Sequence, residues 1–213
     1  MQLLNELERW LTETLPEVAA DLNPGADAQT LEALQAMLPG APLPPAFLSL
    51  YRWHDGQKME VNSGPWYGLS FLPLDQVMEE LKSWREVAES FSPLEWAEMN
   101  SGMSSTPQGY IKCEYSNPRW VPFACDWGGN YLGIDLDPDA LGAPGQVINF
   151  GRDEARKIAV ASDLDAFLAW MLTELKAGNV NIREEEDGGR SFNTLRPEKY
   201  HFLDSLAVMF PAK

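Results

Sequence analysis

The sequence predicts an α+β fold, with a central, mostly antiparallel sheet of about five to six strands flanked by N-terminal, middle and C-terminal helices. Two features of the chain support this class. Apolar residues recur at helical spacing near both ends of the chain and in its middle. Between residues 109 and 160, short strand-like runs alternate with tight turns, which indicates an antiparallel meander rather than βαβ units.

Helices are predicted wherever the apolar periodicity is clear, over residues 3–15, 31–38, 46–53, 74–90 and 162–176. Pro16 ends the first helix because proline cannot continue it. Ser162 and Asp165 resemble a capping box at the start of the last helix, and Gly178 ends that helix. Residues 92–108 give no clear prediction, since prolines and a glycine interrupt them.

Strands are predicted over residues 66–72, 109–114, 120–126, 130–136, 146–150 and 157–160. Pro122 has no N–H to donate, so its strand lies at an edge of the sheet or is bulged. Gly128 and Gly129 can adopt the positive φ that tight turns require. They therefore predict a hairpin between the strands on either side of them.

The chain length of 213 residues suits one domain with an appendage. We predict a domain over residues 1–178 and a C-terminal extension over residues 179–213. The extension contains an acidic loop around residues 184–190 and then an apolar segment at residues 200–210. We expect the apolar segment to dock on the domain or on a partner.

The chain is strongly acidic. Its 32 acidic residues outnumber its 16 lysines and arginines, which gives a formal net charge of −16 at pH 7. Such a charge repels phosphate backbones and anionic membranes, so it disfavours direct binding to nucleic acid or to a membrane. It favours a basic protein partner. The alternative is that the acidity only keeps the protein soluble.

The sequence shows no sign of export, membrane insertion or cofactor binding. The N-terminus lacks a basic region followed by an apolar core, and no apolar run approaches the roughly 20 residues that span a bilayer. Cys113 and Cys125 form no Cys-x-x-Cys motif, and His54 and His201 have no metal-type spacing. We therefore predict a cytoplasmic protein that uses no cofactor and no metal.

Asp135 and Asp137 are the candidates for catalysis. Alternate residues of a strand share a face, which places the two carboxylates roughly 6.5–7 Å apart. This spacing suits the acid and base of an inverting glycosidase, but the simpler interpretation is that both side chains face solvent on an amphipathic strand. A calcium loop starting at Asp135 is excluded, because Ala140 and Gln146 stand where glycine and glutamate are required.

Recognition of another protein fits this region better than catalysis does. Aromatic rings and hydrogen-bonding groups lie close to one turn here, as they do in interface hot spots. They belong to Trp120, Trp127, Asn130 and Tyr131, with the acidic residues near them. The alternative is that they are core aromatics and ordinary turn residues. Nothing else in the chain supplies the remainder of a catalytic site, so we predict a protein without enzymatic activity.

Several blocks of the sequence occur in the order typical of one family. They are LPPAFLSLYRWHDG (43–56), YGLSFLPLDQVMEELKSW (67–84), WVPFACDWGGNYLGIDLDP (120–138) and PGQVI (144–148). Together they resemble the SUKH superfamily, which contains the yeast cell-wall-assembly regulator and bacterial toxin-immunity proteins. The bulky Trp127 departs from the family pattern, and residues 88–108 and 179–213 have no counterpart in it.

The resemblance implies an α+β fold and a non-catalytic role in binding proteins. The favoured hypothesis is an immunity protein that neutralises a cognate toxin, such as a basic nuclease, by direct binding. The alternatives are a regulatory scaffold in cell-wall assembly or signalling, and a carbohydrate-acting enzyme that uses the paired aspartates. The residues that match the family motifs, together with the aromatic residues of the turn, form the predicted partner-binding set: Trp53, His54, Asp55, Gly56, Asp126, Trp127, Gly128, Gly129, Asn130, Tyr131, Asp135 and Asp137.

Overall fold

The computed structural model describes residues 1–185, 188–199 and 201–211. It confirms the α+β class, since the described chain forms eight helices, a six-stranded sheet and a separate two-stranded sheet. The helices are α1 (Gln2–Thr14), α2 (Pro16–Asp21), α3 (Ala28–Ala36), α4 (Pro45–Trp53), α5 (Leu74–Ser90), α6 (Pro93–Ser101), α7 (Leu164–Lys176) and α8 (Phe202–Met209). None of these helices is both long enough and apolar enough to cross a bilayer. The strands are β1 (Ser70–Phe71), β2 (Ser104–Thr106), β3 (Trp120–Cys125), β4 (Asn130–Asp135), β5 (Gln146–Gly151), β6 (Arg156–Ala161), β7 (Asn181–Glu184) and β8 (Arg190–Asn193).

Helices α1, α3, α4, α5 and α7 lie where the apolar periodicity predicts them. Pro16 stands just beyond the end of α1, but it also begins α2, because proline fits the first helical position, where no N–H bond is needed. Helix α7 is capped by Asp163, whose carboxylate accepts a hydrogen bond from the Ala166 amide at 2.8 Å. The predicted capping box of Ser162 and Asp165 is therefore wrong by one residue.

Residues 92–108, which gave no prediction, form α6 and β2. Ser92 caps α6, because its hydroxyl accepts from the Glu95 amide while the Glu95 carboxylate accepts from the Ser92 amide. Strand β2 pairs in parallel with β6 at one edge of the sheet. The strand predicted over residues 109–114 is wrong, since those residues form turns and loop and the place beside β6 belongs to β2. The pattern was misleading because Ile111 is a buried apolar residue within a loop.

The six-stranded sheet has the order β1-β3-β4-β5-β6-β2, and β3 to β6 form the predicted antiparallel meander. The pairing of β3 with β4 shifts between Pro122 and Ala124, so the strand that contains Pro122 is bulged. The strand predicted over residues 66–72 is much shorter than expected. Gly68, with a φ of +90°, turns the chain back towards Gly64 and leaves only β1 as strand.

The central strands are covered on both faces. Every residue of β3, β4 and β5 is buried, and alternate residues of a strand point to opposite faces. Helix α7 packs on the sheet through Phe167, whose ring centroid lies 5.9 Å from that of Phe123. Helix α5 packs on it through Trp84, at 6.4 Å from Tyr131. This burial corrects the expectation that one face of β4 is exposed to solvent.

The described part of residues 179–211 packs against the rest of the chain. Phe192 of β8 and Phe202 of α8 are buried, with ring centroids 4.9 and 5.1 Å from that of Tyr67. The Tyr67 hydroxyl donates to the Asn179 carbonyl at 3.0 Å. The division of the chain at residue 178 stays a prediction.

The acidic cluster predicted in the C-terminal extension is described only in part. Glu184 ends β7 and Glu185 follows it, and both side chains are exposed. The two acidic positions that follow, residues 186 and 187, lie outside the described residues.

Candidate functional site

The predicted partner-binding residues lie in three separate places. Residues 53–56 end α4, residues 126–131 form the β3–β4 turn and the start of β4, and the two aspartates lie at the far end of β4. Asn130 and Asp135 are five strand steps apart, which corresponds to about 16 Å along the strand. The structure therefore does not bring the predicted residues into one site.

Trp53 and His54 join α4 to the N-terminal part of the chain. The Trp53 indole donates to the Glu8 carboxylate of α1 at 3.0 Å, and Nε2 of His54 lies 3.7 Å from the same carboxylate. Nδ1 of His54 also makes a short hydrogen bond with the Asn23 carbonyl. These contacts give both residues a role in holding the fold, and their predicted role in partner binding stays untested.

Asp55 and Gly56 shape the approach of α4 to α5. The Asp55 carboxylate accepts from the Leu74 amide at 2.8 Å, at the start of α5. Burial raises the pKa of Asp55, against the opposing effect of this hydrogen bond. Gly56 has a φ of +67°, and a Cβ atom there would lie 2.2 Å from the Pro73 nitrogen. Only glycine fits this crossing of two backbone segments.

The β3–β4 turn is organised by the Asp126 carboxylate. It accepts hydrogen bonds from the Gly128 amide at 2.6 Å, from the Asn130 amide at 3.0 Å and from the Asn130 side chain at 2.9 Å. The Asn130 side-chain oxygen in turn accepts from the Asp153 amide at 2.9 Å, which ties the turn to the β5–β6 loop. Gly129 has a φ of +93°, as predicted, whereas the positive φ expected of Gly128 is not found. The turn is thus fixed by its own side chains.

Trp127 is the exposed aromatic residue of this turn, with 58% of its surface accessible. Its φ of +61° lies in the left-handed region, which costs a residue other than glycine roughly 1–2 kcal/mol. The indole N–H donates to the Ser70 hydroxyl at 2.9 Å and so fixes the direction of the ring. An ordered, exposed tryptophan in a disfavoured backbone conformation points to a functional constraint.

Tyr131, the next predicted contact residue, is part of the core. Only 5% of its surface is exposed, and its hydroxyl donates to the Glu80 carboxylate at 2.6 Å. Its ring stacks on Phe150, with centroids 5.5 Å apart. Burial raises the pKa of the phenol, and the hydrogen bond to Glu80 acts in the same direction.

Asp135 is fully buried, so the interpretation that it faces solvent is wrong. Its carboxylate accepts from the Asp137 amide and from the Gln146 side chain, both at 2.9 Å. Burial raises the pKa of Asp135 to about 6, although both hydrogen bonds favour the ionised form. The side chain closes the end of the β4–β5 pair, and no part of it is open to a substrate.

Asp137 lies just beyond β4 and is part of an ion-pair cluster. Its carboxylate is 2.6 Å from Nζ of Lys112 and 3.9 Å from the Arg119 guanidinium, and it accepts from the Asn117 amide group at 3.0 Å. Burial acts to raise the pKa of Asp137, but the hydrogen bonds from Asn117 and Lys112 outweigh it and hold the pKa below its ordinary value. The two carboxylates therefore have different side-chain partners, although the Asp137 amide donates to Asp135.

A cleft that the sequence did not predict lies beside Trp127. It has a volume of about 340 Å³ and lies between the β3–β4 turn, the loop that precedes β1 and the β7–β8 hairpin. Its lining includes Ser63 and Ser70, Arg183 and Phe192 of the hairpin, and the exposed Trp127. No local sequence motif predicts this cleft, because its lining residues come from segments that are far apart in the sequence.

Comparison with known proteins identifies the family. The sequence profile of the SMI1/KNR4 family (SUKH-1) matches residues 25–170, which is most of the chain. The chain belongs to this family. The match confirms the superfamily expected from the sequence motifs and includes both the α4–α5 region and the β3–β4 turn.

Curated relatives of the chain are fungal proteins. The chain is 32% identical to the cell wall biosynthesis/cell cycle regulator smi1 of Schizosaccharomyces pombe, over 94% of this chain and 41% of that protein. It is 28% identical to a glucan synthesis regulatory protein of Neurospora crassa, over 92% of this chain and 42% of that protein. It is 27% identical to the cell wall assembly regulator SMI1 of Saccharomyces cerevisiae, over 85% of this chain and 41% of that protein.

Two facts follow from these alignments. The chain spans less than half the length of each of these relatives. An alignment over 94% of the chain must include part of residues 179–213, so the expectation that this extension has no counterpart among relatives is corrected. These relatives are named as regulators, and none of those names describes an enzyme.

Proposed function

We propose that this chain is a non-catalytic, protein-binding module that acts as a regulatory scaffold in cell-wall assembly or a related signalling pathway. The family membership supports this proposal, since relatives along most of the chain are named as regulators of cell-wall biosynthesis, cell-wall assembly and glucan synthesis. The toxin-neutralising role that the resemblance first favoured has only the acidity of the chain as support. The regulatory role is therefore the better-supported proposal.

The observation that carries the proposal is the exposure of Trp127 on an ordered turn. Tryptophan is enriched among interface hot spots, where its large ring fills a pocket of the partner. The carboxylate of Asp126 holds the turn in place, and the indole bond to Ser70 sets the ring direction before any partner arrives. Such preorganisation reduces the entropic cost of binding. We assign the centre of the partner contact to Trp127, Gly128 and Gly129.

The net charge of −16 supports a basic patch on the partner. Charge complementarity of this kind speeds association and is screened by salt. We therefore expect partner binding to weaken as the ionic strength rises, whereas the tryptophan contact supplies specificity.

The test is affinity capture with three forms of the chain: wild type, Trp127→Ala and the control Leu94→Ala. Leu94 is another exposed apolar residue, 83% accessible, and it lies on α6. We expect wild type and Leu94→Ala to recover the same partner, and Trp127→Ala to bind that partner at least about tenfold more weakly. The recovered partner should be a component of cell-wall assembly or of its signalling.

Two outcomes would contradict the proposal in different ways. Equal capture by wild type and Trp127→Ala would show that the contact lies elsewhere on the chain. A gene deletion that leaves sensitivity to wall-damaging agents unchanged, together with a partner unrelated to the wall, would remove the regulatory role itself.

A further inference from the structure

The two outer edges of the β7–β8 hairpin differ in what covers them. At β8, a Cβ atom on Gly68 would lie 2.5 Å from the Phe192 carbonyl oxygen, so the loop before β1 runs directly against this edge. The Arg190 side chain of the same strand is bonded to Glu17. At β7, no other strand of the described chain pairs with the outer edge, since the small sheet consists of β7 and β8. The edge of β7 is therefore the open one.

The hydrogen bonds of the hairpin show which backbone groups of β7 face outwards. Beside the turn, the Glu185 amide donates to the Gly189 carbonyl at 2.8 Å, so these two residues form a hydrogen-bonded pair. Bonded and non-bonded pairs alternate along an antiparallel ladder. Arg183, two residues before Glu185, therefore bonds across to β8. The N–H and C=O groups of Ile182 and Glu184 consequently point away from β8, towards the open edge.

An open strand edge fits one kind of ligand, which is another extended chain. Its outward N–H and C=O groups recur at every second residue, and this is the spacing that a pairing strand offers in return. Proteins often block such an edge with a proline or a β-bulge. The sequence of β7, NIRE, contains no proline, and its register with β8 is continuous from Asn181 to Glu184. The protection of this edge is left to its charged side chains, which select among strands.

The charges along β7 favour a basic strand and disfavour a second copy of this chain. Glu184 and Glu185 are exposed, whereas the Arg183 charge is already paired with Glu198. A second copy would bring the same edge and the same net charge of −16, so like charges would meet. A lysine or arginine placed opposite Glu184 would instead form a favourable cross-strand pair.

Ile182 adds an apolar contact two residues before Glu184. Alternate residues of a strand share a face, so Ile182 and Glu184 lie on one side of the hairpin, while Arg183 lies on the side that lines the cleft. Ile182 is half-buried and packs against the core. A strand paired with β7 would thus place a basic side chain beside Glu184 and an apolar side chain beside Ile182, two residues apart.

We propose that the outer edge of β7 binds an extended segment of the protein partner by strand addition, with a basic residue opposite Glu184 and an apolar residue opposite Ile182. This inference rests on the proposed function, since it names the chemistry of the partner segment. Arg183 and Trp127 line the same cleft, so one partner can reach both the edge and the exposed indole. The edge itself does not include Trp127, so the two contacts can be tested separately.

The experiment is a titration of the isotope-labelled full chain with a short, terminally blocked peptide, KTVTKTVTK, in which lysine and valine alternate on one face. We expect the amide signals of Ile182 and Glu184 to shift, and their N–H groups to exchange more slowly with solvent, because they become hydrogen-bonded. The matched peptide ETVTETVTE, with glutamate in place of lysine, should bind at least about tenfold more weakly. Added salt should reduce this difference.

Glu184→Pro separates strand pairing from folding. The Glu184 N–H points away from β8, so proline removes a donor at the outer edge without removing a hydrogen bond within the hairpin. This variant should fold and should bind the lysine peptide at least about tenfold more weakly. Glu184→Gln, which keeps the N–H and loses only the charge, should weaken binding about threefold. A lysine peptide methylated on alternate backbone nitrogens applies the same test to the wild-type chain.

The outcomes distinguish this inference from the proposed function. If the lysine peptide shifts no β7 amide at about 1 mM, or binds Glu184→Pro as tightly as wild type, strand addition at β7 is wrong. Partner capture that is lost in Trp127→Ala but kept in Glu184→Pro would overturn the strand pairing and support the proposed function. Peptide binding at β7 without capture of any partner would support the pairing edge and contradict the scaffold. Where both hold, the lysine peptide should compete with the captured partner.

Discussion

The two ends of the β3–β4 hairpin carry the same kinds of residue and put them to opposite uses. At the strand end, Trp120 is 2% exposed and Asp135 is fully buried. At the turn end, Trp127 is 58% exposed, and Asp126 beside it is only partly buried. A tryptophan and an aspartate therefore form a core cluster at one end and a candidate contact surface at the other. Residue type alone does not decide between the two roles.

The difference comes from what covers each end. At the strand end, Gln146 donates to both the Tyr110 carbonyl and Asp135, so a loop closes over the sheet. At the turn end, Gly128 is exposed, and the neighbouring β7–β8 hairpin leaves the cleft open. Long-range coverage, which depends on other segments of the chain, decides whether such a residue stabilises the fold or is free to bind.

Trp120→Ala should have the largest effect on stability. The Trp120 ring packs against Phe150 with centroids 5.5 Å apart, and Nζ of the buried Lys157 lies 5.4 Å from its ring centroid. Truncating a buried tryptophan typically costs about 3–5 kcal/mol, because it removes apolar burial and leaves a cavity. Denaturant unfolding measures this loss. Trp120→Phe, which keeps part of the ring, should lose less, and a loss below about 1 kcal/mol for the alanine variant would contradict the core role.

Asp135 should make the free energy of unfolding fall as the pH rises, which is the reverse of the usual effect of an aspartate. Its pKa is raised to about 6 in the folded chain, from an ordinary value of 3.8. Between these values the folded state holds a proton that the unfolded state has released, so the contribution of Asp135 to stability falls as the pH rises. The total fall is at most about 3 kcal/mol. Asp135→Asn should remove it, so the difference between the two stability curves should change between pH 4 and 6.

Asp137→Asn is the matched control for that measurement. The pKa of Asp137 lies below its ordinary value of 3.8, so its contribution to stability is present above that pH and is lost as the pH falls further. The two neighbouring aspartates should therefore give differences of opposite sign in separate pH ranges. Identical curves for wild type and Asp135→Asn between pH 4 and 6 would show that the Asp135 carboxyl is not perturbed.

Features of the fold that depend on residues close together in the sequence could be predicted, whereas features that depend on residues far apart in the sequence could not. Helix α5 begins and ends at the predicted residues because its apolar stripe is a local pattern. The turn was also predicted from Gly128 and Gly129, but only Gly129 has the expected positive φ, and Trp127 rather than Gly128 adopts the other left-handed conformation. The cleft was not, because its walls are joined by contacts such as the Tyr67–Asn179 hydrogen bond, which spans 112 residues.

The candidate site was predicted in part for the same reason. Trp127 was among the predicted contact residues and is exposed, and its role in a contact stays a prediction. Trp120 and Tyr131 were predicted on the same grounds, and both are core residues. The alternation of β4 could not separate exposed from buried positions, because α5 covers the Tyr131 side chain and every residue of β4 is buried.

Trp127→Gly should have the smallest effect on stability and a large effect on binding. Glycine adopts a φ near +61° without strain, which offsets roughly 1–2 kcal/mol of backbone cost. The substitution also removes the indole hydrogen bond to Ser70, which contributes about 1 kcal/mol. The two effects nearly cancel, so the unfolding free energy should change by no more than about 1 kcal/mol.

Trp127→Ala measures the backbone strain at this position separately from the loss of the indole hydrogen bond. Alanine loses the indole but keeps the left-handed backbone requirement, so this variant should be about 1 kcal/mol less stable than Trp127→Gly. Both variants should lose partner binding alike. A stability loss for Trp127→Gly as large as that of Trp120→Ala would show that the turn depends on its indole. In that event the two ends of the hairpin would be alike, because the exposed tryptophan would stabilise the fold rather than a complex.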